Sequence, residues 1–362
     1  MNILQIVPGL PPNLDGIGDY ALRLAEELQA SQAITSSFLV GRPGTPVAPH
    51  PGMETIAVES RSADSLVSAL HSGFAKQPSH ILLHFSPYGY QHRGVPAWMV
   101  AGLRDYVAHN SIKLSICFHE LDVTGRPPWR SGFWVAPVQR RILKQLSELA
   151  HYAYTNTEEH RYRLESLGEG RVAVIPNFST IPPMSNVPAD GQRRRDIIVF
   201  GRTGHRKHIY QLGMDALEEL CTALQIERVL DVGEPIEGFA TTRLGPATVI
   251  QCGALPSAEV SRLMSESTGL FISYPAPLLL KSSVYAAACA HGLITFLHDD
   301  SHPLRSCPGL LTNTDFVPLP LTGAQLNRLN LAELSSSVLS RYSDRSVQTA
   351  ASTLASALKD LS

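Results

Sequence analysis

Short apolar runs alternate with amphipathic stretches along most of the chain, and that alternation restricts the possible folds more than any other feature. The runs Ile3–Val7, Ser36–Val40, Thr55–Val58, Ile81–Phe85, Leu114–Phe118, Ala153–Thr155 and Val172–Ile175 have strand length and are apolar throughout. Between most of them lie segments such as "GDYALRLAEELQAS" and "ADSLVSALHSGFAK", with apolar residues at helical spacing. Continuously apolar strands separated by helices predict a parallel sheet covered on both faces. The stretch "PPMSNVPADGQRRRD" (182–196), rich in proline, polar residues and charge, then interrupts and reads as a linker. A second series runs through Ile197–Phe200, Val229–Val232, Thr248–Gln251, Leu270–Ser273 and Ile294–Leu297, and from about residue 322 the chain reads as helical. The prediction is an α/β protein with two doubly wound parallel-sheet domains, 1–182 and 196–340, joined by a linker at 183–195 and followed by a terminal segment, 341–362. Ligands of such sheets sit beyond the carboxyl ends of the strands, and between two of them that means the cleft they face.

Composition sets the function classes to exclude. At 362 residues, 44% hydrophobic and 17% charged, the chain can bury large cores and is not of disordered type. A net charge of −2 provides no global field to attract nucleic acid, so none is expected as a partner. The opening "MNILQIVPGLPP" lacks a basic n-region and a long apolar core, and reads as a first strand, not a signal peptide. No apolar run approaches the ~20 residues of a membrane span. The five cysteines are scattered without a C-x-x-C pair, which predicts buried thiols in a reducing, cytoplasmic setting and neither a disulfide framework nor a zinc site.

Four stretches could carry chemistry. In "PGLPPNLDGIGDYALRLAEEL" (8–28) a strand ends in a Pro/Gly loop, and Gly16 and Gly18 lead into a helix. Such glycines allow close backbone approach to a ligand, and the helix start offers N–H groups to an anion; a plain glycine turn reads equally well. The spacing is not G-x-G-x-x-G, since residue 21 is alanine, so a dinucleotide fingerprint fails. In "SICFHELDVTGRPPW" (115–129) a strand delivers His119 and Glu120 to the carboxyl edge of the sheet. A histidine there can bond a substrate hydroxyl or transfer a proton, and can also be purely structural. "DIIVFGRTGHRKHIYQ" (196–211) places Arg202, then Arg206 and Lys207, between a strand and a helix, which suits a diphosphate or makes a solvated basic turn. In "FISYPAPLLLKSSVYAAACAHG" (271–292), Lys281, Ser282 and Ser283 stand at the start of a small-residue helix. That is an anion-binding geometry and equally an ordinary serine cap. The strand-end loop "HFSPYGYQHRGVPAWM" (84–99) adds Tyr88, Tyr90, His92 and Arg93 as candidate sugar or acceptor contacts, or as a packed loop. There is no H-E-x-x-H, P-loop or G-x-S-x-G, and no metal is expected.

Together these pieces resemble the two-domain, Rossmann-like glycosyltransferases of the GT-B fold, in particular the retaining family-4 type. "PPNLDGIGDYALRLAEEL" is similar to that family's glycine loop and first helix, and "CFHE" lies where it carries a donor-site histidine. "VAVIPNFSTI" resembles the Ile-Pro-Asn-Gly segment closing the first domain, with Phe178 in place of glycine. "VFGRTGHRKH" lines up with a Gly-Arg-x-x-x-x-Lys-Gly turn, and "GALPSAEVSRLMSESTGLFISYP" with a helix and following strand of the family. The resemblance implies diphosphate contacts from Arg202, Lys207, Ser282 and Ser283, a sugar contact from His119, and donor-phosphate or acceptor contacts from Gly16 and Gly18. It implies a final helix packed back on the first domain. The family's hallmark pair of glutamates is absent: aligned on Gly292, their places hold Leu279 and Ala287.

The implied activity is hexosyltransferase-type transfer of a sugar, with retention, from a nucleotide-sugar donor to a hydroxyl of a glycan, lipid-linked or small-molecule acceptor, in polysaccharide or glycoconjugate synthesis. His119, Arg202 and Lys207 would act in the reaction, with Tyr88, Tyr90, His92, Arg93 and Glu120 toward acceptor or sugar. No cofactor is implied beyond the donor itself, and peripheral contact with the inner membrane face is compatible with it. The missing glutamates motivate a second reading, a catalytically degenerate protein that binds a sugar nucleotide or glycan without transfer. An epimerase of the same fold is a third, without carboxylates to serve it.

Overall fold

The computed structural model describes residues 1–11, 15–45, 50–75, 77–123, 129–168, 170–184, 193–299 and 307–361. The chain divides into two compact units, Met1–Pro176 with Val347–Ser362, and Asn177–Ser346.

The first unit is built on β1 (Asn2–Val7), β2 (Thr35–Val40), β3 (Thr55–Ala57), β4 (His80–Phe85), β5 (Lys113–Phe118), β6 (Tyr152–Thr155) and β7 (Val172–Val174). They form one sheet in the order β3-β2-β1-β4-β5-β6-β7, and all its pairings are parallel. β1 and β4 are buried at every position, as a sheet covered by helices on both faces requires. The strand order reverses between β1 and β4, and the crevice at their carboxyl ends is where such sheets bind ligands. The final helix, Val347–Asp360, belongs to this unit and lies against the Gly16–Gln32 helix, with Gln348 Nε2 donating to Glu27 Oε2 at 2.9 Å.

The second unit has β8 (Arg194–Phe200), β9 (Arg228–Val232), β10 (Arg243–Leu244), β11 (Ala247–Gly253), β12 (Ser267–Ser273), β13 (Ile294–His298) and β14 (Val317–Leu319), in the order β10-β11-β9-β8-β12-β13-β14. Only the short β10 runs antiparallel. Here the order reverses at β8, with β9 on one side and β12 on the other. Two strands have no counterpart in the sequence reading. β10 has only two residues, and β14 carries Pro318, which weakens a strand pattern and is tolerated because β14 is an edge.

The expected linker also differs in part. Its stretch 185–192 lies outside the described residues, but β8 already starts at Arg194, and the second unit takes in Asn177–Pro182. Arg193 explains how so basic a stretch can join a sheet. Its guanidinium donates to the carbonyls of Ser267 at 3.0 Å and His291 at 2.7 Å, tying the start of β8 to two neighbouring segments.

Candidate functional site

In the first unit, β1 ends at Val7 and the Gly16–Gln32 helix begins after Asp15. The Asp15 carboxylate caps that helix by accepting from Ile17 N at 3.0 Å, so one of the N–H groups available to an anion is already satisfied. Gly18 has a packing reason of its own. A Cβ there would lie 2.2 Å from the Gly9 carbonyl oxygen, so helix and loop approach too closely for any side chain. Gly16 faces open space instead. Residues 12–14 of this loop lie outside the described set.

Behind the loop a buried polar chain reaches His119. Gln5 Nε2 donates to Ser36 Oγ at 2.9 Å, so Gln5 Oε1 is left to accept from His84 Nε2 at 2.8 Å. Complete burial holds the His84 pKa down to about 3, so its imidazole is neutral with a lone pair on Nδ1. His119 Nε2 lies 3.1 Å from that nitrogen and must be the donor. The chain thus places a proton on His119 Nε2. Tyr20, on the glycine-led helix, sets its ring edge-on to both histidines, at 5.8 and 5.0 Å between centroids. Parallel registry pairs His84 with Cys117, and His119 follows two residues later on the same face. The donor atoms of His84, Cys117 and His119 all lie within 4.8 Å of one another. This is a donor set suited to zinc or copper that the scattered cysteines do not suggest in the sequence. In this arrangement, however, the two imidazoles bond each other directly through nitrogens a metal would take.

The other first-unit candidates separate. Glu120 accepts from Ser86 Oγ at 2.7 Å, which fixes its carboxylate beside the end of β4. Tyr88 is 45% exposed, and His92 and Arg93 are exposed. Tyr90 corrects the expectation of a ligand contact. It is fully buried, and its hydroxyl donates to the carbonyls of Ile6 at 3.0 Å and His84 at 2.9 Å, stitching β1 to β4 from within the core.

In the second unit the basic turn after β8 splits by role. Arg202 is the N-cap residue of the helix Thr203–Leu212 and is exposed; Lys207 is exposed further along. Arg206 is inside that helix, not ahead of it, and is not a ligand cation. It is 0% exposed, pairs with Asp231, and donates to the carbonyls of Gly201 and Glu234. Tyr210 donates to the other Asp231 oxygen at 2.9 Å. Gly233 makes room for the guanidinium: at φ +145° it adopts a glycine conformation, and a Cβ would meet the Gly201 oxygen at 2.4 Å.

The loop after the neighbouring strand β12 is held at both ends. Asp299 accepts from Ala276 N at 2.7 Å as a 3₁₀ turn, Ala276–Lys281, begins. At its end Asn177 receives no help from a following glycine, yet its backbone N–H donates to the Leu280 carbonyl at 3.0 Å and its side chain to the Lys281 carbonyl at 2.5 Å. Asn177 therefore positions the approach to the helix Ser283–Ala290. Ser282, 7% exposed, is that helix's N-cap and accepts from Tyr285 N at 3.1 Å; Ser283 is exposed. Ser282 is thus a helix cap, and the anion-facing groups left at this end are the first amides of the helix. Leu279 and Ala287 are 0% and 1% exposed, so a glutamate at either place would bury its carboxylate.

One residue that the motif reading passed over joins these two loops. Partial burial lowers the pKa of His205, and the charges of Arg202, His208 and Lys281 lower it further. Its ring also stands edge-on to Tyr274 at 6.4 Å. Arg202 after β8 and Lys281 after β12 therefore both act on one imidazole at the carboxyl ends of adjacent parallel strands. The signal available in the sequence was the histidine between Gly204 and Arg206, which carries no motif weight by itself.

No protein-family model and no curated protein sequence matches the chain. Solved structures do. A sucrose-phosphate synthase from Thermosynechococcus elongatus is similar with a TM-score of 0.65 at 14% identity, over 100% of this chain and 99% of that one. The protein TarM is similar at 0.65 and 9% identity, over 96% of each chain. The pneumococcal O-GlcNAc transferase GtfA, solved with UDP and GlcNAc, is similar at 0.63 and 8% identity, over 100% and 99%. The chain has the GT-B fold. At these identities the likeness concerns the fold, and function has to be argued from the sites the GT-B units carry.

Proposed function

We propose that the protein is a glycosyltransferase that moves a sugar from a nucleotide-sugar donor to an acceptor hydroxyl with retention of configuration. The observation that supports it most directly is that the charges of Arg202, from the turn after β8, and Lys281, from the turn before the Ser282-capped helix, both act on His205. A cationic cluster at a helix start is suited to the diphosphate of a leaving nucleotide, where negative charge grows as the glycosidic bond breaks. Lys207 is assigned to the same diphosphate and Ser283 to its helix-end contact. In the first unit, His119 is assigned to a hydroxyl of the transferred sugar. The Gly16 end of the glycine loop is assigned to donor phosphate or acceptor, and Tyr88, His92, Arg93 and Glu120 to the acceptor. The acceptor class is a glycan, a lipid-linked sugar or a small molecule, with polysaccharide or glycoconjugate synthesis as the setting. The charge stabilisation assigned here comes from side chains and a helix end, with no metal needed for it. The purified protein incubated with UDP-, GDP-, ADP- and TDP-sugars should release the corresponding nucleoside diphosphate with one of them, at least by slow hydrolysis.

A second reading, binding without transfer, is favoured by one feature: the buried Leu279 and Ala287 stand where the glutamate pair would face sugar and ribose. Saturable binding of a nucleotide sugar with no release across a panel of acceptors would establish it, and interconversion of donors without acceptor would mark an epimerase.

His205 makes the leading reading sensitive to pH. Without ligand its pKa lies below the usual 6.5, so the ring is neutral near pH 7. A bound diphosphate favours the imidazolium and raises that pKa, so binding takes up a proton. Affinity for the accepted nucleotide sugar should therefore rise as pH falls from about 8 to about 6, and His205→Ala should flatten the profile. Calorimetry in two buffers of different ionisation enthalpy reads the proton directly; no uptake in the parent protein would remove His205 from the site.

A further inference from the structure

A sheet covered by helices is expected to be apolar on each face. The face of the first sheet that meets Tyr20 instead carries Gln5, His84, Cys117 and His119, all of them buried. Burying polar side chains costs stability unless they are paired, and the hydrogen bonds from Ser36 through Gln5 and His84 to His119 provide that pairing. A buried cysteine by itself is an ordinary core residue. This one is set beside His84 by strand registry, with His119 two residues on, so one sulfur and two imidazole nitrogens lie within 4.8 Å of one another. Among the described residues no other three histidine, cysteine or carboxylate side chains are placed to hold a metal ion.

The spacing and the support of these groups both fit an ion. With Zn–N near 2.0–2.1 Å and Zn–S near 2.3 Å, a tetrahedral site keeps two nitrogens about 3.3 Å apart, and nitrogen and sulfur about 3.6 Å apart. His84 Nδ1 and His119 Nε2 already stand at 3.1 Å, with 5.4 Å between ring centroids. A turn of roughly 35° in each ring aims both nitrogens at one ion and leaves the centroids about 5.2 Å apart. The hydrogen bond between the imidazoles therefore keeps them close to the spacing of two ligands, and an ion would replace one shared proton. Metal-ligating histidines almost always donate their second N–H to a carbonyl or carboxylate, which fixes ring and tautomer. His84 has that support: Nε2 donates to Gln5 Oε1 at 2.8 Å, and Gln5 is itself held by Ser36 at 2.9 Å.

We propose that His84 Nδ1, Cys117 Sγ and His119 Nε2 form a site for a borderline-soft transition metal ion, zinc or copper(I), with a fourth position left to water or another ligand. Thiolate with imidazole selects these ions over calcium and magnesium. On binding, the Cys117 thiol releases its proton and ligates as thiolate, and His119 gives up the proton on Nε2. The site shares His119 with the sugar assignment, but its test contains no nucleotide sugar, so either can fail alone.

The untagged full chain, stripped with a chelator and dialysed, is titrated against a chromophoric chelator with Zn²⁺ and, separately and anaerobically, with Cu⁺. One equivalent of one of them should bind with a dissociation constant of about 1 μM or below. X-ray absorption at the edge of the bound metal should show, for zinc, one sulfur at about 2.3 Å and two imidazoles at about 2.0 Å, and for copper(I) the same ligand count. Cys117→Ala, with the other four cysteines in place, should lose the sulfur neighbour and about a hundredfold or more in affinity. Gln5→Leu, which removes the support of His84 and no ligand, should cost about ten- to a hundredfold. Both positions are buried, so circular dichroism and the thermal transition check that each variant is folded; the absorption measurement on the unaltered chain needs neither variant. The proposal is overturned if neither ion binds at one equivalent, if the bound ion has no sulfur neighbour, or if folded Cys117→Ala binds with the parent's affinity.

Discussion

Replacing Arg202 and Lys207 together by alanine is expected to weaken binding of a nucleoside diphosphate at least a hundredfold while leaving the thermal transition unchanged. Both side chains are exposed, and neither has an ion pair with another described residue, so the fold loses little when they are shortened. Each charged hydrogen bond to phosphate contributes roughly 1.5–3 kcal/mol, and every 1.4 kcal/mol is about tenfold in affinity. Removing two such hydrogen bonds at once predicts a fall in affinity between about a hundred- and ten-thousandfold. Lys281→Ala is the companion measurement, because Lys281 shares the His205 environment with Arg202. Titration by calorimetry compares the two variants directly. Unchanged affinity in the double variant would end the assignment of this turn to the diphosphate.

The neighbouring residue should behave in the opposite way. Arg206→Ala is expected to destabilise the second unit by about 3–5 kcal/mol, because it leaves the Asp231 carboxylate buried without its counter-charge. Two carbonyls, of Gly201 and Glu234, lose their donor in the same step, and a fully buried side chain leaves a cavity behind. For a unit of this size, about 2–4 °C of melting temperature accompanies each kcal/mol, so the drop should be roughly 6–20 °C. Arg206→Met combined with Asp231→Leu removes both charges and should recover a large part of that loss. A melting temperature for Arg206→Ala within about 2 °C of the parent would contradict the buried ion pair.

This contrast between adjacent residues marks the boundary between what could and could not be read in the sequence. Arg206 and Lys207 are equivalent in the text of "GHRKH", and a motif reading assigns both to the ligand. Helical geometry turns Arg206 inward and Lys207 outward, and only the packing of β9 beneath the helix supplies Asp231. Tyr90 failed as a ligand contact for the same reason. An aromatic in a strand-end loop can face solvent or core, and the close approach of β1 and β4 draws its hydroxyl onto their carbonyls.

The two parallel sheets were legible because a strand buried on both faces must be apolar at each position, and that pattern is local. For the same reason the short β10 and the proline-bearing β14 were not, since pairing with a neighbour is what makes them strands. From the residues alone follow the two α/β sheets and the loops after strands that carry His119, Arg202 and Lys281; the absence of the glutamate pair follows from the family resemblance. The folded chain was needed to show that His84, thirty-five residues from His119, holds a proton on that ring's Nε2. It was needed again to bring the charges of two separate loops to bear on His205, and to turn the aromatics opening the helix Ser131–Leu149 outward. Local pattern encodes which residues prefer the interior, whereas the partner of each charged or polar group depends on strand order and registry. Those are properties of the assembled chain.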